Sequence, residues 1–190
     1  MSSALVWGPT ALVVAALMDV WAALLHGLVW HGPLMPLHKS HHEPRLGRFE
    51  KNDALSFLHA PIAIALVLYG CRAAPGFWRE VAFGTGIGMT LFGFGYTLVH
   101  DGLVHKRLPV RFLSRSKYLR VVARAHRVHH TDALGGVPFG LFTGPLEMRL
   151  REWLASRSSS PTSAKPRAPD LARPDSTPPG DARTSAARSG

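Results

Sequence analysis

Three long stretches almost free of formal charge restrict what this chain can become. Residues 4–30 hold a single ionised group, Asp19, and residues 54–71 and 81–99 hold none. Crossing the hydrocarbon core of a bilayer takes roughly 20 mostly apolar residues. Each stretch therefore reads as a membrane helix, and the fold class as an all-α integral membrane helical bundle. The first stretch lacks a basic N-terminal region and is too long for a signal peptide. The second is the shortest and contains His59 and Pro61; proline is tolerated where neighbours satisfy the freed carbonyl. Mean hydropathy is only +0.06 because residues 156–190, rich in Ser, Thr, Pro and Gly and without an aromatic, dilute it. Such a segment buries too little apolar surface to offset its ordering entropy. The expected division is a membrane domain over 1–155 and a disordered tail over 156–190.

The loops orient the bundle. No Lys or Arg precedes the first span, four lie between the first and second, two between the second and third, and eight follow from Lys106 to Arg127. Cytoplasmic loops carry the excess of Lys and Arg. The N-terminus is thus expected outside, with the first and third loops and the tail in the cytoplasm of a multi-pass protein. Residues 134–146 are apolar but too short to cross and contain two prolines, which suits a re-entrant or interfacial segment. The sequence pI near 10.8 reflects charge flanking apolar spans. Anionic lipid headgroups account for that distribution, and nucleic acid is excluded as a partner.

Ten of the eleven histidines fall into four clusters with a repeated grammar. His26 and His31 form a pair spaced by five at the end of the first span. His38, His41 and His42 form a triplet in the loop that follows. His100 and His105 repeat the pair at the end of the third span, and His126, His129 and His130 repeat the triplet. All lie on the predicted cytoplasmic side, so ten rings can converge there. On a helix, positions i, i+3 and i+4 share a face, so a triplet can aim three imidazoles at one site. The pairs are less regular: at 3.6 residues per turn an i, i+5 spacing sets the rings roughly 140° apart. Either one ligand lies beyond the helix end or the two serve different metals.

Ligand type and number narrow the metal. One zinc takes four ligands, far fewer than ten. Imidazole suits iron, copper, zinc and nickel, and ten suit two ions with positions left open. The single cysteine, Cys71, and the few acids in these clusters argue against thiolate or mainly carboxylate sites. Two irons fit best.

The strings His26-Gly-Leu-Val-Trp-His31, His38-Lys-Ser-His-His42-Glu43, Lys51-Asn52-Asp53, His100-Asp-Gly-Leu-Val-His105 and Ala125-His-Arg-Val-His-His130 resemble the bacterial β-carotene hydroxylases of the membrane fatty acid hydroxylase and sterol desaturase superfamily. The resemblance covers about residues 10–150. It implies a non-haem di-iron monooxygenase in the bacterial inner membrane that hydroxylates C3 of carotenoid β-ionone rings, taking β-carotene through β-cryptoxanthin to zeaxanthin. Ketolated carotenoids are further candidate substrates. It also implies O2 as co-substrate and a ferredoxin-type electron donor with its reductase. The ten boxed histidines carry over as iron ligands. Two rivals are a fatty acid or sterol hydroxylase or desaturase with the same iron chemistry, and a non-enzymatic metal- or haem-binding membrane protein.

An unreactive ring methylene needs metal and oxygen chemistry, with the protein orienting and shielding. Trp21, Trp30, Phe92, Phe94 and Tyr96 are candidate walls for a bilayer-dissolved substrate. Asp19, an ionisable group inside an apolar span, needs a partner and is expected to support the iron site or a nearby arginine. Asp101, Glu43, Asn52 and Asp53 are candidates to orient ligand nitrogens, helix capping being the plainer role for the last three. His59 stands outside every box and reads as a packed core histidine. Gly84, Gly88, Gly93 and Gly95 read as close helix packing. Gly136-Val137-Pro138-Phe139-Gly140-Leu141 departs from the pattern of the resembled family, a departure expected to touch the substrate pocket and not the metal site.

Overall fold

A computed structural model describes residues 3–44, 49–131 and 136–158. The expected tail beyond Ser158 and residues 134–135 of the expected interfacial segment lie outside the described residues. Every regular element among the described residues is helical. They are α1 (Ala4–Leu25), a π-helix π1 (His26–Trp30), α2 (Met35–His42), α3 (Asp53–Ser56), α4 (Ala60–Arg72), α5 (Phe77–Tyr96), a second π-helix π2 (Thr97–Val104), a 3₁₀ turn (Arg111–Arg115), α6 (Lys117–His129) and α7 (Gly144–Ser158).

Three helical segments are long and apolar enough to cross a membrane: Ala4–Trp30, Asp53–Arg72 and Phe77–Val104. The second is interrupted by a turn ahead of Pro61, where the proline lacks the N–H a continuous helix would use. Leu5, Leu12, Leu17, Ile62 and Leu68 face outward, a distribution suited to lipid and not to water.

Helix α5 packs against both α1 and α4, and small residues set how closely. A Cβ on Gly84 would lie 2.5 Å from the Trp7 carbonyl oxygen, and one on Gly88 would lie 2.5 Å from that of Ala11. These positions, one turn apart, form the seam with α1. Gly86 meets Ala63 and Val67 of α4 in the same way. Gly93 faces open space and Gly95 makes only an ordinary contact with Phe142, so among these glycines of α5 the close approach is confined to Gly84, Gly86 and Gly88. Thr10, Thr85, Thr90 and Thr97 each donate a hydroxyl hydrogen to the carbonyl four residues earlier, which keeps those hydroxyls satisfied inside apolar helices.

The chain after the third span folds back over the histidine-bearing ends of α1 and α5. Helix α6 packs on π2, on α7 and on the 3₁₀ turn. Its buried residues, Val122, Ala123, Ala125, His126 and His129, lie toward one side, as expected of a strongly amphipathic helix. The expected interfacial segment resolves into an irregular loop over 136–143 and then α7, which begins at Gly144.

Candidate metal centre

The two histidine pairs sit in π-turns, and this settles their spacing. The His31 amide donates to the His26 carbonyl and the His105 amide to the His100 carbonyl, each at 2.9 Å. An i→i+5 backbone bond brings residue i+5 over residue i. The ring centroids are 5.1 Å apart for His26 and His31 and 4.6 Å for His100 and His105. The 140° offset expected of an α-helix does not occur, because the helix widens by one residue at each pair.

The triplets behave differently from the sequence expectation as well. Donor nitrogens of His26, His31, His38, His42 and His129 lie within 4.8 Å of one another, and so do those of His41, His105, His126 and His130. His100 joins the second group through its Nε2, 3.1 Å from that of His41. No triplet therefore serves one site. Residues i and i+4 of a triplet stay together while the remaining histidine crosses to the other group. Each group consists of one pair, the i, i+4 members of the next triplet, and one ring lent by the other triplet. The repeated sequence grammar becomes two equivalent five-histidine clusters, intimately packed: His41 and His42 of neighbouring clusters are adjacent in the chain.

The outer nitrogens reveal what the inner ones must be. His26 Nδ1 faces the Phe139 carbonyl at 2.9 Å, His129 Nδ1 the Gly136 carbonyl at 2.6 Å, His38 Nδ1 the Asn52 Oδ1 at 2.7 Å, and His100 Nδ1 the Asp101 carboxylate at 2.8 Å. These oxygens only accept, so each Nδ1 carries the hydrogen and, in a neutral ring, each Nε2 presents a lone pair. Yet His26 Nε2 and His38 Nε2 stand 3.0 Å apart. Two facing lone pairs repel, and a cation between them removes the conflict. His105 Nε2, buried without a hydrogen-bond partner among the described residues, points to the same need in the second group. Outer N–H groups held by carbonyls and carboxylates are the usual support of metal-bound imidazole. The donor set fits two metal ions.

Burial favours the neutral form of several of these rings. It pushes His38 and His129 down to about 4 and His105 and His130 to about 3; neighbouring imidazoles add to the effect. His41 and His126 are depressed further, again chiefly by burial. At neutral pH the lone pairs are free for a metal.

The supporting residues are only partly those expected. Asp101 and Asn52 meet rings of the two clusters directly. Asp53 accepts a bidentate pair from Arg107, at 2.7 Å for both bonds, which holds Arg107 more firmly protonated. Arg107 also lies 3.6 Å from Asp101, so the clamp ties the start of the second span to the end of the third. Glu43 pairs with Lys39 on the exposed face of α2 at 3.3 Å, away from the rings. Asp19 accepts backbone N–H groups from Phe142 and Thr143 at 3.1 and 2.7 Å and contacts neither imidazole nor arginine among the described residues. Its influence passes through the 136–143 loop.

Two contributors were not foreseen. Glu50 Oε2 lies 3.6 Å from His41 Nδ1; its only sequence signal is its place two residues before Asn52. The 136–143 loop supplies the carbonyls of Gly136 and Phe139, and the Phe139 ring lies against His26, His31 and His129. Glu147 holds that loop by accepting from the amides of Phe139 and Gly140. The departure in sequence at this loop thus touches the metal centre, contrary to expectation, because backbone carbonyls carry the contact.

A cavity of about 740 Å³ opens among α1, α3, α4 and α5. Trp30, Phe92, Phe94 and Tyr96 line it, and it reaches Asp53, Asp101 and Arg107. Trp30 lies 5.4 Å from the His26 ring and Tyr96 stacks on His100 at 4.7 Å, so the apolar space ends on both clusters. His59 lines the same cavity and accepts from the Trp21 indole at 2.9 Å; Trp21 itself holds that ring in place instead of forming the wall.

Residues 11–149 match the model of a family described as fatty acid hydroxylase. The chain is 48% identical over 144 residues to the chloroplastic beta-carotene 3-hydroxylase 2 of Arabidopsis thaliana, covering 75% of this chain and 47% of the plant protein. It is 40% identical over 151 residues to the chloroplastic beta-carotene 3-hydroxylase of Haematococcus lacustris, covering 75% and 47%. With the beta-carotene hydroxylase of Pantoea ananas it shares 38% identity over 167 residues, covering 84% of this chain and 93% of that one. The chain spans about half the length of the plant relatives. No solved structure matches it significantly.

Proposed function

The chain belongs to the fatty acid hydroxylase family, and from that premise we propose that it is a membrane di-iron monooxygenase that hydroxylates carotenoid β-rings at C3, converting β-carotene through β-cryptoxanthin to zeaxanthin. The observation that carries this reading is the cavity whose walls, Trp30 and Tyr96, rest on one histidine of each cluster. An apolar ring leaving the bilayer between the spans meets both clusters at the end of its path. The volume lies in the ordinary range for small-molecule sites, enough for a methylated cyclohexene ring and the start of its polyene. The names of the relatives favour a carotenoid over a fatty acid or sterol.

In this reading His26, His31, His38, His42 and His129 hold one iron, and His41, His100, His105, His126 and His130 the other. Bound irons supply the activation of O2 that an unreactive methylene requires. The protein's own part is orientation and exclusion. Trp30, Phe92 and Tyr96 clamp the ring and keep water from it. The carbonyls of Gly136 and Phe139, the Asn52 amide and Asp101 hold ligand rings in one tautomer, and Glu50 stands as the acid beside His41. The Arg107–Asp53 clamp fixes the polar end of the cavity. Two electrons come from a ferredoxin-type donor with its reductase. The Lys and Arg pattern of the loops supports a bacterial inner-membrane setting with the clusters on the cytoplasmic side.

Pigment analysis of β-carotene-producing cells tests the proposal. The native chain is expected to yield zeaxanthin and His129→Ala none. Absence of hydroxylated carotenoid with the native chain overturns the substrate assignment, and undiminished product with His129→Ala removes that residue from the ligand set.

A further inference from the structure

We infer that the outer face of α6 is the docking surface for an acidic one-electron carrier protein, an inference that rests on the monooxygenase reading above. Lys117, Arg120, Arg124 and Arg127 are all exposed. Their spacing of three, four and three residues places them in one stripe along the helix. Arg120 is tied to the carbonyls of Ser114 and Arg115, which fixes one end of the stripe. Arg111 and Arg115 of the adjoining 3₁₀ turn are exposed beside it. From residue 102 to 131 the chain contains no Asp or Glu, so no acid on α6 or the 3₁₀ turn offsets the stripe.

The opposite face of the same helix carries the ligands. Val122, Ala125, His126 and His129 are buried there, with His126 in one cluster and His129 in the other. A protein seated on the stripe is separated from both clusters by about one helix diameter, ~10 Å. Helix α2 also feeds both clusters, but its exposed Lys39 is neutralised by Glu43. Helix α6 alone among the described helices combines ligands for both clusters with an unneutralised cationic exterior.

Charge of this kind could instead meet lipid headgroups, and two features decide against it. A basic helix that lies on a bilayer inserts an apolar face opposite its charges. In α6 that face is occupied by the histidine clusters. The helix also packs on the end of the third span at π2, and on α7 and the 3₁₀ turn, which follow the spans instead of crossing. Hydroxylation consumes O2, two electrons and two protons for each ring C–H converted to C–OH, with one water released. Two molecules of a reduced one-electron carrier must therefore dock and leave in each cycle. Long-range charge complementarity serves fast, reversible encounters of this sort.

The test uses the native chain and a Lys117→Gln/Arg124→Gln/Arg127→Gln variant in discs of neutral phosphatidylcholine. Arg120 is left in place because it serves its own backbone. The probe is a plant-type [2Fe–2S] ferredoxin kept reduced by its NADPH-linked reductase. The variant is expected to show a KM for ferredoxin raised about tenfold at low ionic strength, from three rim charges each contributing modestly. Its kcat at saturating ferredoxin is expected to match the native value. A single turnover, started by mixing chemically reduced enzyme with O2, should also match. Arg124→Lys/Arg127→Lys should retain the native KM. An unchanged KM in an otherwise active variant overturns the inference. So does a matching loss in the single-turnover experiment, which makes the stripe structural, or a defect seen only in discs of anionic phosphatidylglycerol, which assigns it to lipid. If the native chain forms no product in the single turnover, the monooxygenase reading fails instead.

Discussion

Replacing Asp19 by alanine tests how far the metal centre depends on a carboxylate that touches no ligand. The side chain is 4% exposed and accepts the amides of Phe142 and Thr143 at 3.1 and 2.7 Å. Alanine removes two charge-assisted bonds and strands two amide donors in an apolar setting, at roughly 1.5–3 kcal/mol each. The total, roughly 3–6 kcal/mol, is a large part of the stability of an ordinary domain. For a chain of this size it lowers Tm by about 10 °C or more. The loop so loosened carries the Phe139 and Gly136 carbonyls that hold His26 and His129, both of the first cluster. Thermal melting in detergent, with metal counted by mass spectrometry, is expected to show the lower Tm together with loss of about one of two metals. Asp19→Asn keeps one acceptor but turns an NH2 toward the other amide, so an intermediate shift is expected. A native Tm and full metal content in Asp19→Ala would refute the reasoning.

Asn52→Ala frees the outer nitrogen of His38 and is expected to weaken metal binding about 10–100-fold, measured by chelator competition; unaltered affinity would count against the Asn52 role. In metal-free protein, burial holds His38 and His129 at about 4, below the ordinary 6.5 of an unfolded chain. Between those values the unfolded chain binds more protons, so stability present above pH 6.5 is lost as pH falls toward 4. Denaturant midpoints that do not decrease from pH 7.5 to about 5 would contradict this. Gly88→Val places side-chain atoms against the Ala11 carbonyl and Val14, forcing α1 and α5 apart; it should reduce the yield of folded protein sharply, by roughly the 1–3 kcal/mol or more of an overpacked core, while Gly93→Val, facing open space, should not.

Much of the architecture is written in local features. Span length depends on a run of uncharged residues, and histidine spacing depends on counting, so three apolar helices and a ten-histidine assembly are legible in the sequence alone. The resemblance in the histidine strings agrees with the family the chain matches. The partition of the rings was not legible. Whether i, i+5 means divergence or stacking depends on a backbone that widens into a π-turn, and no residue type announces that change. Asp19 was visible as an anomaly, but its partners lie more than a hundred residues away in a loop that offers only backbone amides.

The sequence by itself determined that the fold class is helical, that the chain is apolar enough to enter a membrane, and that its histidines recur in a twofold pattern. Only the tertiary structure decided which rings share a cluster, which carbonyls turn their outer nitrogens, and which face of α6 is left to solvent. The physical reason is the range of the interactions. Hydrophobicity and helical periodicity act over one or two turns and leave a record in composition. Ligand geometry is set by contacts between distant segments, many made through backbone atoms that every residue shares.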